Sequence, residues 1–221
     1  MEKEAEKLYQ EGHKQASVKL LAQKLQKDMQ HLDWFLQLSG YLSAGGDLPQ
    51  AEALLLQARE LFPQSEEISY NLAVIYFQAG KFSQAHQFLQ QVKQPQLQSD
   101  AYYLLAQEKR QEDKLPQALV YALTAIDYNP QLADNYLLAG DLLLRQHDLK
   151  TAQNYYQKAV DLQGKAANYF KLALVELALD QPQYRAHFEK ARQLDQVYFE
   201  KHQTQVAEIE RYLKSQSRDA K

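Results

Sequence analysis

The chain has no cysteine. Disulfides, thiolate metal sites and thiol nucleophiles are therefore excluded together. Glycine (7) and proline (6) are scarce, and both sit mainly where helical patterns start or stop. No apolar run reaches the roughly 18 residues that a membrane-spanning helix needs. The first ten residues, MEKEAEKLYQ, are charged and lack the apolar core of a secretory signal. A soluble, cytoplasmic protein is the expectation. Net charge is also small, at -3. Residues 31–184 hold eleven basic against seventeen acidic residues, so the middle of the chain is a poor phosphate binder and nucleic acid is an unlikely partner.

What the chain does have is a period. GDLPQA at 46–51 returns as GKFSQA at 80–85, DKLPQA at 113–118 and HDLKTA at 147–152. The closing alanines, Ala51, Ala85, Ala118 and Ala152, are 34, 33 and 34 residues apart. Each unit carries two stretches of apolar residues at helical spacing on either side of a turn. In the clearest unit, Phe35, Leu38 and Leu42 line one helix, and Ala51, Leu55 and Ala58 line the next. Pro49 falls in the first turn of that second helix, where a missing N–H costs nothing. Pro116 and Pro182 take the same place later, and Asp47, with Asp113 and Asp148 in comparable slots, is placed to cap a helix start. Small residues let paired helices approach, and large ones fill the gaps that remain. Fixed periods of this size build all-α solenoids.

These residues resemble the tetratricopeptide repeat (TPR), a 34-residue helix–turn–helix unit. The pattern reads Phe35, Leu38, Ser39, Leu42, Ala51, Leu55, Ala58 and Pro63 in the first clear unit. It returns as Leu72, Ala73, Tyr76, Ala85, Leu89 and Val92, then as Tyr102, Leu105, Ala106, Ala118, Ala122, Ala125 and Pro130. A fourth copy has Tyr136, Ala139, Gly140, Leu143, Ala152, Tyr156 and Ala159. A fifth keeps Tyr169, Leu172, Ala173, Phe188 and Ala191. Ser69, Pro95 and Lys109 depart from the pattern. The resemblance implies an all-α, right-handed α-solenoid superhelix with repeats at 32–65, 66–98, 99–132, 133–165 and 166–195. A degenerate helix pair at 1–31 would precede them. A capping helix at 196–215 would follow, with an apolar stripe of Phe199, His202, Val206, Ile209 and Leu213, and residues 216–221 would form a frayed tail.

No constellation for catalysis stands out. P-loop, G-x-G-x-x-G, G-x-S-x-G and H-E-x-x-H strings are all absent. The six histidines are scattered. His187 with Glu189 gives an H-x-E string that has no cysteines to complete a zinc site. His202 reads as a satisfied histidine of the last helix. No enzyme activity, cofactor or metal is expected.

The resemblance places the working surface on the concave face, lined by the first helix of each unit. Mapped there are Leu36, Tyr70, Asn71, Phe77, Tyr103, Gln107, Arg110, Leu137, Asp141, Arg145 and Phe170. Val74, Leu144 and Leu174 lie beside them, and Asp33, Glu67, Asp100 and Asp134 form an acidic rim. An aromatic, partly acidic groove suits a peptide or helical segment of a partner protein. The Lys, Arg and Asn clamp by which some relatives grip acidic chaperone tails is represented by Asn71 alone. The expected function is a non-catalytic interaction scaffold or adaptor. The alternatives are a peptide-sensing regulator and a self-assembling structural subunit.

Overall fold

The structure, a computed structural model, describes the backbone of residues 2–219 and the side chains of residues 4–208 other than Gln96. These residues form thirteen α-helices and no strand. In order they are α1 (Glu2–Gln10), α2 (Lys14–Lys27), α3 (Leu32–Ala44), α4 (Leu48–Leu61), α5 (Glu66–Gln78), α6 (Phe82–Leu89) and α7 (Pro95–Gln111). Then come α8 (Leu115–Tyr128), α9 (Ala133–Arg145), α10 (Leu149–Leu162), α11 (Ala166–Ala178), α12 (Tyr184–Leu194) and α13 (Gln196–Asp219). The first twelve are six antiparallel pairs.

One turn geometry joins every pair. The second residue past the first helix takes positive φ at Gly12, Gly46, Gly80, Asp113, His147 and Asp180. The next backbone N–H then donates five residues back, as from Asp47 to the Leu42 carbonyl at 2.9 Å and from Asp148 to the Leu143 carbonyl at 3.0 Å. This is the Schellman closure, which satisfies carbonyls that the ending helix leaves open. The turn at Gly12 brings α1 and α2 into the same register. Two of the second helices, α4 and α10, start on side-chain caps: Asp47 accepts from the Gln50 N–H and Asp148 from the Thr151 N–H, both at 3.1 Å.

The chain divides into two compact units, residues 1–104 and 105–221. In the first, Ala51, Leu55 and Ala58 of α4 are fully buried against Phe35 and Leu38 of α3 and Ile68 and Leu72 of α5. In the second, Leu143, Tyr156, Leu172 and Val175 form one cluster. Phe170, Ala173, Leu177, Phe188 and Ala191 form another, onto which Tyr198, Phe199 and Val206 of α13 pack.

Local expectations shift in three places. Pro182 lies ahead of α12 instead of in its first turn, because that helix begins only at Tyr184. Asp113 occupies the positive-φ turn position and leaves the helix start to Lys114. The α13 helix runs to Asp219, past the expected end at 215. The side chains of Ile209 and Leu213, and residues Ala220 and Lys221, lie outside the described residues.

Candidate partner-binding site

In the first unit, α3 and α5 lie side by side. Leu36, Tyr70, Asn71, Val74, Phe77 and Tyr103 are each half-buried. Ser39, Gly40, Ser43, Asn71, Val74 and Gln78 line a cavity of about 200 Å³. Ser43 closes one side of it by donating to Gln78 Oε1 at 2.5 Å. Asn71 turns inward, its amide donating to the Glu67 carbonyl one turn back at 2.8 Å. Phe77 packs against Phe82, with ring centroids 5.5 Å apart. Burial, reinforced by the charge of Asp100, pushes the Tyr70 phenol up to about 12. Burial raises the Asp100 carboxyl as well. Asp100 is therefore partly enclosed, whereas Asp33, also expected on the rim, is exposed.

The second unit holds the more elaborate arrangement. Tyr156 of α10 is 1% exposed, and its hydroxyl donates to Asp141 Oδ1 of α9 at 2.8 Å. Lys171 of α11 donates to the same oxygen at 2.5 Å. Its ammonium also lies 5.8 Å from the centre of the Tyr156 ring. Burial first, and Asp141 second, hold the Tyr156 phenol far above its ordinary range. Gly140 makes this possible, because a Cβ there would stand 2.7 Å from Tyr156 Cε1.

Around this triad lies a cavity of about 330 Å³. Leu144, Leu174 and Phe170 line it from the repeats, and Tyr198, His202 and Gln205 from α13. The rings of Tyr198 and His202 stack at 4.1 Å. His202 is tautomerically fixed by its Nδ1–H, which donates to the Tyr198 carbonyl at 2.7 Å. The result is a pocket of mixed character, with leucine and aromatic surface, a neutralised ion pair in one wall, and an imidazole nitrogen and an amide in the other. It can hold a bulky side chain and still offer hydrogen bonds.

The expected site residues therefore divide. Asp141 stands in this pocket. Phe170 backs the same pocket but is corrected as a surface residue: it is 1% exposed, enclosed by Phe188, Tyr198, Phe199 and His202, and serves as core. Leu137 packs partly buried on the cluster around Tyr156. Gln107 and Arg110 are half-buried. Arg145 reaches back to Asp113 Oδ1 at 2.8 Å and to the Arg110 carbonyl at 3.4 Å, pinning the α7–α8 turn. Tyr156, Lys171, Tyr198 and Gln205 were missed. The spacing of α13 shows an apolar stripe but not that the stripe packs on α11 and α12 and so faces α9 across the pocket.

Profiles described as tetratricopeptide repeat match residues 42–108 and residues 133–166. Both stretches are tetratricopeptide repeats. Solved TPR structures share the fold of this chain. The Pseudomonas aeruginosa pilF structure aligns with a TM-score of 0.72 at 16% identity, covering 90% of this chain and 93% of its own. MamA aligns at 0.60 with 20% identity, covering 72% and 95%. YrrB, described as a TPR protein with an unusual peptide-binding site, aligns at 0.54 with 15% identity, covering 80% and 93%. No curated protein matches the sequence.

Among the described residues of this TPR chain, no three His, Asp or Glu side chains converge as a metal site would require. No helix is long and apolar enough to cross a membrane. His187, which the H-x-E string singled out, donates from Nδ1 to the buried Glu176 at 2.7 Å. It ties α12 to α11 and points to no neighbouring ligand group.

Proposed function

We propose that this TPR protein is a non-catalytic scaffold whose first-helix faces seat a segment of a partner protein. The observation that carries this reading is the pocket of the second unit. A fully buried tyrosine and a lysine hold Asp141 in one geometry, and α13 supplies an aromatic wall opposite. Side chains fixed in this way lose little entropy when a partner arrives, which favours binding. The peptide-binding site recorded for YrrB supports the same kind of use. The pocket is nearly neutral, since Lys171 offsets Asp141. An uncharged bulky side chain, flanked by backbone amides within reach of Gln205 and His202, fits it best.

Leu174→Asp tests this reading. Leu174 is half-buried and lines the pocket. The aspartate would place a charge where an apolar anchor sits while the fold stays intact by circular dichroism. Partners captured by the wild type from native extract, identified by mass spectrometry, should be lost by the variant. Equal capture by both proteins would move the interaction to another surface.

A further inference from the structure

The first unit has another pocket, of about 290 Å³ and open to solvent, lined from α1, α2, α3 and the α3–α4 turn. Its walls are almost entirely carbon. The rings of Tyr9 and Tyr41 lie face to face, with centroids 3.8 Å apart and planes 6° from parallel. Val18 and Leu42 complete the floor. The Tyr41 hydroxyl accepts from Gln37 Nε2 at 3.0 Å, which fixes that ring. Two ammonium groups stand at the mouth. Lys14 sits over the Tyr9 ring at 5.5 Å, and Lys19 is exposed one turn further along α2. Neither pairs with a carboxylate among the described residues. The only anion in the lining, Asp47, is engaged as the cap of α4.

The pocket is open and lined by carbon, and its rim is net positive. We infer that this pocket is a docking site for a partner segment that carries a large apolar side chain flanked by carboxylates. The apolar group enters beside the Tyr9–Tyr41 pair, and the carboxylates meet Lys14 and Lys19. Lysine stems cover the rim with methylenes while keeping their charges in water, so they serve both halves of such a ligand. This site shares no residue with the pocket of the second unit, so the two inferences stand or fall separately.

Two labelled synthetic peptides test it. Both carry a central Leu-Trp, flanked by glutamates in one and by lysines in the other. Each is titrated into the full chain, into Lys14→Glu/Lys19→Glu, and into Leu174→Asp. The acidic peptide should bind the wild type and Leu174→Asp alike. It should weaken with added salt, and it should lose at least about tenfold in affinity to the double charge reversal. Both lysines are exposed, so that variant should keep its helicity. Equal binding of the two peptides, or indifference of the acidic one to the charge reversal, overturns the proposal. Sedimentation of the protein alone adds a second arm. A self-associated wild type that the charge reversal dissociates would assign the pocket to another copy of this chain, and that also overturns it.

Discussion

Two glycines within helices show how far identical chemistry depends on surroundings. Gly40 has no atom within 4 Å of where a Cβ would stand, whereas at Gly140 that Cβ would press into the Tyr156 ring at 2.7 Å. Mid-helix glycine costs backbone entropy, so Gly40→Ala should raise stability by about 0.5–1 kcal/mol. Gly140→Ala gains the same entropy but displaces a ring that is 1% exposed and bonded to Asp141. Overpacking of this kind costs about 1–3 kcal/mol, so its melting temperature should fall while that of Gly40→Ala rises. Thermal unfolding of the pair decides it, and two shifts of the same sign would show that the close contact is absent. His147 poses a different question. It is exposed and holds φ of 63°, a backbone region costly for a side chain. His147→Gly should stabilise by about 1 kcal/mol, measured by chemical denaturation. The repeat period marks this as a turn. That the turn needs left-handed backbone is visible only where glycine already fills it, at Gly12, Gly46 and Gly80.

Helix pairing was legible because alanines and large apolar residues recur at a fixed period, and the structure buries Ala51, Ala85, Ala118 and Ala152 almost completely. Two kinds of feature were not legible. One is the polar residue that acts as core. Asn135 donates to the Ala125 carbonyl at 3.0 Å and Asn168 to the Ala159 carbonyl at 3.2 Å, each also reaching the carbonyl of the residue after the preceding helix. These bonds satisfy the open end of α8 and of α10. In the sequence, both residues look like ordinary polar members of a helix start. Asn168→Leu keeps the branching at Cγ and removes the donor, leaving carbonyls unpaired at a cost of about 1–3 kcal/mol. Its denaturation midpoint should drop more than that of a Leu substitution at exposed Asn154 on α10. The other feature is contact between helices far apart in the chain. Periodicity places Phe170 on a first helix but cannot show that α13 covers it. For this reason, a residue expected to face a partner proved to be core.

Ionisation ties both units to one solution condition. Tyr70 and Tyr76 in the first unit are each pushed up to about 12, chiefly by burial, with Asp100 and Glu52 respectively adding to it. In the second unit, burial and Asp141 raise Tyr156 and Tyr198, and Glu108 with Glu112 raises the Lys109 ammonium. Every one of these groups holds its proton to higher pH in the fold than in the unfolded chain. Unfolding therefore releases protons above the ordinary phenol value of 10.0. The stability these groups confer is fully present below that pH and is lost as pH climbs through the folded values. The chain should keep its helicity to about pH 10 and lose it steeply above. Phenolate absorbance should rise in two stages, exposed tyrosines first and buried ones only together with the loss of circular dichroism. Complete phenolate formation with helicity intact would contradict the burial of Tyr156 and Tyr76. Tyr156→Phe separates the contributions. It gives up one hydrogen bond, worth about 1 kcal/mol at neutral pH, and removes a group whose ionisation drives alkaline unfolding. The variant should therefore be less stable than wild type at pH 7, and the gap should narrow as pH rises past 10.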